Sequence, residues 1–198
     1  MKCIKSRRSI RNYREEALPK ETIEKIIEAG KYAPSAENRQ PWKFVVITNK
    51  ELMKELSEET KKQIEWILKK RRKFRKKYKE LEERETLLFL QAVAKSSKDV
   101  IFHEAPVVIF IITEDRAFND ESCACAAENM MLAAWSMGIG SCWIGFAKFL
   151  EMNERAREKI GVPSNHHIAS CIVFGYPEKV PKKPLPRKPT SGIMKWID

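Results

Sequence analysis

The spacing of apolar positions divides the chain into alternating helical and extended stretches. Ile23, Ile26 and Ile27 share one helical face behind Pro19, which suits a first helical turn, so a helix is expected over Lys20–Tyr32. Residues 33–41 hold two prolines among small polar residues and break both periodicities, as a loop does. Trp42–Thr48 is β-branched and aromatic and predicts a strand; Asn49 then caps a helix over Lys50–Ser57. Beyond it Ile64, Ile67, Leu68, Phe74, Tyr78, Leu81 and Leu88 recur by three- and four-residue steps, which predicts a helical segment reaching Lys95. Val107–Thr113 is continuously apolar, as in a central strand covered on both faces. Glu121–Met137 carries few charges and reads as a largely buried helix. Gly138–Gly145 is a turn entering a short strand, Glu151–Ile160 a helix stopped by Gly161 and Pro163, and Ile168–Tyr176 a strand. From Pro177 onward five prolines exclude a regular helix or central strand, leaving an extended arm over about 177–198. The opening Lys2–Tyr13 is polar and arginine-rich. Helices and strands mix along one chain, so the expected class is α+β in a single domain with a helix-flanked sheet.

Charge and cysteine usage narrow the function classes. Of the net charge of +11, most falls between Lys61 and Arg84, where twelve basic residues face four glutamates, a surplus of eight. The rest of the chain is nearly balanced, which is unlike a nucleic-acid-binding module, and no nucleic-acid motif accompanies the basic stretch. It reads as a solvated amphipathic helix, or as a field that draws anionic ligands. The N-terminus has no apolar leader and no run approaches a membrane span, so a cytoplasmic protein with no membrane partner is expected. Cys3, Cys123, Cys125, Cys142 and Cys171 are odd in number and irregular in spacing, which fits free thiols. With His103, His166 and His167 they offer no zinc spacing, so no metal is expected.

Four segments carry candidate chemistry, and each alone has a plain structural explanation. Arg7, Arg8, Ser9 and Arg11 offer guanidinium forks and a hydroxyl to a phosphate, or form a solvated basic end. Pro34, Ser35, Ala36, Asn38 and Gln40 offer amides and small side chains beside a strand, or a simple helix–strand connection. The glycine-bounded run Gly138–Gly145, with Cys142, Trp143 and Ile144, lets backbone approach a flat ligand, or merely ends a helix. It is not a dinucleotide fingerprint, because it follows a helix and lacks the spacing. Lys183 and Arg187 lie among the tail prolines.

Taken in order, Arg-Arg-Ser-Ile-Arg (7–11), Ala-Pro-Ser-Ala-Glu-Asn-Arg-Gln-Pro-Trp-Lys-Phe (33–44), Ala-Ala-Glu-Asn-Met-Met-Leu-Ala-Ala-Trp-Ser-Met-Gly-Ile-Gly-Ser-Cys-Trp-Ile-Gly (126–145) and Phe-Gly-Tyr-Pro-Glu (174–178) with a basic, proline-rich tail resemble the nitroreductase-like FMN oxidoreductases over nearly the whole chain. The resemblance implies a central mixed, mainly antiparallel sheet flanked by helices, a helical lid over about 58–98, and a homodimer with FMN at the subunit interface. By position, Arg7, Arg8, Ser9 and Arg11 would hold the phosphate, ribityl chain and pyrimidine edge. Pro34, Ser35, Ala36 and Asn38 would come from the partner subunit, with Gln40 nearby. Cys142, Trp143, Ile144 and Gly145 would line the isoalloxazine, with a backbone amide near Ile144 facing N5. Arg187, assisted by Lys183, would close on the phosphate. The implied activity is ping-pong transfer from NADH or NADPH through FMN to a nitroaromatic, quinone or similar small-molecule acceptor. Because the flavin carries the hydride, no catalytic side-chain triad is needed. Ile144 stands where many relatives have a carboxylate, which changes subgroup rather than family. Trp66, Phe74, Tyr78 and Phe89 are the lid aromatics available to an acceptor. Reductive dehalogenation, flavin reduction and FMN binding without turnover are the alternatives; Glu65, Tyr78 and Lys79 supply only loosely the anchor a dehalogenase would need.

Overall fold

The computed structural model describes residues 1–76, 78–181, 186–188 and 192–197. Four strands form its sheet: β1 (Lys43–Ile47), β2 (Val107–Glu114), β3 (Gly140–Trp143) and β4 (His166–Gly175), in the order β1-β2-β4-β3 with every neighbouring pair antiparallel. One parallel contact is added by a single bridge between Ser9 and Ser141. The expected α+β, mainly antiparallel architecture is what the chain adopts.

The continuous apolar run of β2 is explained by cores on both sides. Val108, Phe110 and Ile112 face one, together with Cys171 and Val173 of β4; Val107, Ile109 and Ile111 face the other, with Ile172 and Phe174. The first core is roofed by α3 (Lys50–Lys69) and α5 (Arg84–Lys95), the second by α2 (Lys20–Lys31) and α6 (Asn119–Ser136). Small residues let α6 lie close: Ala126, Ala127 and Ala134 are fully buried, and a Cβ on Gly30 of α2 would meet Met130 Cγ at 2.8 Å. Among the described residues no helix is long and apolar enough to cross a membrane.

Three features differ from the periodicity-based expectation. Residues Lys2–Ser6 form a helix, α1, which docks on α6 through Trp135 Nε1 donating to Ser6 Oγ (2.8 Å) and Cys3 Sγ to the Leu132 carbonyl (3.4 Å). The long basic helical segment is broken. The helix α3 stops at Lys69, α4 (Arg71–Phe74) is one turn, Lys79–Glu82 is a 3-10 turn, and only then does α5 begin. Lys69 to Lys73 are five successive cations. Their mutual repulsion disfavours continuing the helix, while the carbonyl end of α3 accommodates them. Trp66 and Phe74 then meet edge-on at 5.1 Å across the break. The expected helix over Glu151–Ile160 likewise divides, into a 3-10 segment Gly145–Met152 and α7 (Glu154–Ile160), at the Asn153 cap that accepts from the Ala156 amide.

The segment Ser9–Arg14 laces the sheet edge to the start of the tail. Ile10 N donates to the Ser141 carbonyl (2.9 Å), Arg14 N to Tyr176 O (2.9 Å), and Glu178 N to Asn12 O (3.1 Å). Ile10 is buried directly over Gly140, where a Cβ would stand 2.7 Å from Ile10 Cγ1 and 2.8 Å from its Cβ. Neither atom is the free end of a flexible chain, so the backbone itself must yield. Gly140→Ala is therefore expected to cost about 1–3 kcal/mol and lower the melting temperature by several degrees; an unchanged thermal melt would show that the segment is not seated as described.

Candidate active site

The lacing of Ser9–Arg14 to β3 brings Arg11 to the mouth of the main cleft. This cleft, about 540 Å³ in volume, opens between the strip Cys142–Phe146, the α5 residues Phe89, Ala92 and Val93, and the turn Val100–His103. Its walls are mostly apolar, the usual character of a small-molecule site. Arg11, Cys142, Trp143, Ile144 and Gly145, all expected from the sequence, meet here. Burial pushes the Cys142 thiol up, against a smaller downward pull from Arg11, so it stays protonated at neutral pH. Tyr13 hydroxyl donates to the Ile10 carbonyl at 2.6 Å, and its burial pushes it well above the usual phenol range.

The backbone amide expected near Ile144 is not Ile144's own, which donates to the Cys171 carbonyl at 2.8 Å. The next two amides, Gly145 and Phe146, open the 3-10 segment ahead of its first internal hydrogen bond and point to no carbonyl of their own turn. The same strip is the wall of a second cleft of about 390 Å³, lined by Asp120, Glu121, Lys148 and Ala169–Cys171.

Arg7 and Arg8 lie just before this strip's partner segment. Arg7 pairs with Glu128 (3.5 Å), and Arg8 Nη1 donates to the Lys5 and Arg7 carbonyls (2.9 and 2.7 Å). Arg8 Nε is buried with no hydrogen-bond partner among the described residues. One buried guanidinium donor thus awaits an acceptor, which fits a phosphate-bearing ligand.

The loop carrying Pro34, Ser35, Ala36 and Asn38 is not brought to Arg11's cleft. Arg39 Nη2 donates to the Ala117 carbonyl (2.7 Å) and Ala36 N to Ser122 Oγ (3.4 Å), which pins the loop to the N-terminal end of α6. Glu37, Asn38 and Gln40 are left-handed (φ 56°, 53° and 48°), held by Gln40 N donating to Ser35 Oγ and Gln40 Nε2 to Asn38 Oδ1. Gln40 lines a separate cleft of about 330 Å³ with Trp42, Arg116 and His166. Arg187 is exposed and lines none of these clefts; Lys183 lies outside the described residues.

The lid aromatics divide. Phe89 lines the cleft and leans on Phe146 (5.9 Å), which stacks on Phe149 (6.2 Å), which Tyr78 meets edge-on (5.9 Å). Trp66 and Phe74 pack on each other instead. Glu65 is paired with Lys69 (2.8 Å), and neither Glu65, Tyr78 nor Lys79 lines the cleft.

His103 was not indicated by any spacing in the sequence, yet it lines the cleft beside Arg11. Its turn is braced by Asp99, whose carboxylate accepts the amides of Ile101, Phe102 and Glu104 and the Ser57 hydroxyl (2.6 Å). The buried Lys61 ammonium donates to the Ser96 and Lys98 carbonyls and pairs with Glu58. The only sequence signal was Asp99 two and three residues before amides it could cap.

Comparison with known proteins places the chain among recognised relatives. The sequence profile described as "Nitroreductase family" matches residues 4–176. An Archaeoglobus fulgidus protein, provisionally described as an NADH dehydrogenase/NAD(P)H nitroreductase, is 33% identical over 90% of this chain and 85% of its own length. The iodotyrosine deiodinase of Hydra vulgaris is 28% identical over 98% of this chain and 71% of its own. A nitroreductase with bound FMN from Bacteroides fragilis superposes with a TM-score of 0.76 at 29% identity, over 100% of this chain and 97% of that one.

Asp99→Ala would leave three amides and a hydroxyl without their acceptor. It is expected to cost about 1–3 kcal/mol or more, read as a lower urea midpoint, with Asp99→Asn recovering part of the loss. Equal midpoints for all three proteins would remove Asp99 as the brace.

Proposed function

This chain belongs to the nitroreductase family, and on that premise we propose that it is an FMN-dependent oxidoreductase that takes electrons from NADH or NADPH and delivers them to a nitroaromatic, quinone or similar acceptor by a ping-pong cycle. The observation that carries the reading is the meeting of Arg11 with Cys142–Gly145 in one apolar cleft. FMN, when bound, supplies the hydride chemistry. The protein's own groups bind and orient. Arg7, Arg8 and Ser9 hold the phosphate end, where the unpartnered Arg8 Nε finds its acceptor. Arg11 faces the N1–C2=O edge, where a permanent cation stabilises gathering negative charge. Trp143 and Ile144 form the wall against the ring, and the Gly145 and Phe146 amides, in place of Ile144's, are the donors available to N5. Phe89, Ala92 and Val93 exclude water.

The cofactor site is completed by a second copy of the chain. Within one subunit Pro34, Ser35, Ala36 and Asn38 stand apart from Arg11's cleft, on a loop whose Glu37, Asn38 and Gln40 are left-handed. They and Gln40 serve the other subunit of a homodimer, whose arm brings Arg187 to the phosphate. Free thiols and a nicotinamide donor suit a cytoplasmic setting.

The deiodinase relative raises dehalogenation as a second activity, but its support here is thin. An amino-acid substrate needs an anchor for both its charged groups, and Glu65, Tyr78 and Lys79 are not assembled at the cleft.

The purified protein, supplied with FMN, is expected to be yellow and to bleach on anaerobic mixing with NADH or NADPH; a colourless protein would end this reading, and a yellow one that neither dinucleotide reduces would make it a binding protein. Arg11→Gln is expected to weaken FMN binding by about 10- to 100-fold, the worth of one charge-assisted hydrogen bond, in a flavin fluorescence titration.

A further inference from the structure

Three ionisable side chains line the main cleft: Arg11, Cys142 and His103. Arg11 and Cys142 belong to the flavin site proposed above; His103 has no part in it. Its backbone is left-handed (φ 59°), as is that of Glu104 after it (φ 54°), and non-glycine residues hold that conformation at a cost of about 1 kcal/mol or more each. The turn is nevertheless over-determined, by four hydrogen bonds to Asp99 and two from the buried Lys61. Its product is a half-buried imidazole against an apolar wall, with no hydrogen-bond partner for either ring nitrogen among the described residues. Strain and bracing spent on presenting an unpartnered polar ring to a cleft point to a ligand for it.

We propose that His103 is the proton-handling residue of this site: it takes up a proton when negative charge enters the cleft beside Arg11, and passes that proton to an oxygen of the acceptor. The proposal rests on the FMN reading above. The charges that face His103 are few. Arg11 faces it from the N-terminal segment and Asp99 from its own turn; β3 presents the Cys142 thiol, and α5 presents only Phe89, Ala92, Val93 and, just beyond its end, Ser96. Burial and Arg11 hold the imidazole below its usual range while Asp99 pulls the other way, so in the resting protein it is largely neutral at pH 7. A new negative charge between the two groups reverses that balance.

The electrons and protons close. With FMN bound, hydride from NAD(P)H would bring two electrons and one proton, release NAD(P)+ and leave one net negative charge in the cleft, which one solvent proton taken up by His103 would balance. A quinone accepting the hydride equivalent and the imidazolium proton would leave as hydroquinone, and His103 would be neutral again. No other group in the cleft serves. Arg11 never releases its proton, and burial keeps the Cys142 thiol from titrating near neutrality. In a cleft this apolar, charge left unneutralised is costly.

The test uses the holoprotein and follows the His103 Cε1–H resonance against pH, oxidised and after anaerobic dithionite reduction. Its midpoint is expected below about 6.5 in the oxidised protein and higher by about one unit or more when reduced. The FMN midpoint potential should then fall more steeply with pH between those two points, by one extra proton per electron pair, and His103→Gln should remove the extra steepness. It should also lower kcat for a quinone at pH 7 by about 100-fold, the scale of one proton donor. His103→Asn is the companion variant, because asparagine tolerates the left-handed backbone and separates loss of the ring from loss of the turn. An imidazole that titrates identically in both redox states, or variants whose potentials follow the wild type at every pH, would overturn the proposal. In a yellow, reducible protein those results overturn it alone; a protein that never binds FMN overturns the flavin reading with it.

Discussion

The hydrogen bond from the Ile10 amide to the Ser141 carbonyl decides where the chemistry of this molecule is placed. It sets a polar N-terminal segment in parallel register along β3, and the buried Ile10 side chain closes over Gly140 at a distance only glycine allows. Burial of one isoleucine is worth about 1.5–3 kcal/mol, more than the hydrogen bond itself contributes net. The side chain is thus the anchor and the hydrogen bond the register pin. Once both are made, the arginines on either side are committed: Arg8 turns back to the C-terminal end of α1, Arg7 pairs with Glu128 of α6, and Arg11 reaches the cleft in front of Cys142–Gly145. Tyr13 closes the device by donating back to the Ile10 carbonyl and packing under Gly175.

How far the sequence discloses this depends on the range of the interactions involved. The run Val107–Thr113 announces a strand buried on both faces, and the alternation of its residues between two cores is what that pattern means physically. Helix α2 and the low charge of α6 are legible for the same reason: their faces are set by near neighbours in the chain. The helix α1 is not. Its five residues are too few to be stable alone and owe their helicity to contacts with α6 some 129 positions away. The break at Lys70 is also hidden from hydrophobic spacing, because the stripe continues in phase across it. The cause lies in the charges, five in succession, which the periodicity ignores.

The same distinction runs through the site. Arg11 and Cys142–Gly145 form recognisable short motifs, and they do meet. The loop Pro34–Gln40 is as recognisable, but its own fold does not bring it to that cleft. Asp99, Lys61 and Ser57 form no motif at all: Ser57 and Asp99 are 42 residues apart, Lys61 and Lys98 37. Lys61 illustrates the difficulty well. It stands in the most basic stretch of the chain and looks like one more solvated cation, yet its ammonium is buried and fully engaged. His103 inherits its significance from these invisible contacts.

The remaining cations of that stretch take on a clearer role once Lys61 is set aside. Lys62 and Lys69 are neutralised by glutamates one turn away, Lys70 lies over the Trp66 ring, and Arg75 is loosely paired with Glu82. Arg71, Arg72, Lys73, Lys76, Lys79 and Arg84 have no acidic partner within ion-pair distance among the described residues, so the uncompensated charge gathers where α3 gives way to α5. Helix α5 is also a wall of the main cleft. A field of one sign raises the local concentration of anions without holding any of them, and at physiological salt it reaches only about 8 Å beyond the surface. The breaking of the basic helix, which the hydrophobic pattern could not foretell, is what gathers those exposed cations at the junction of α3 and α5.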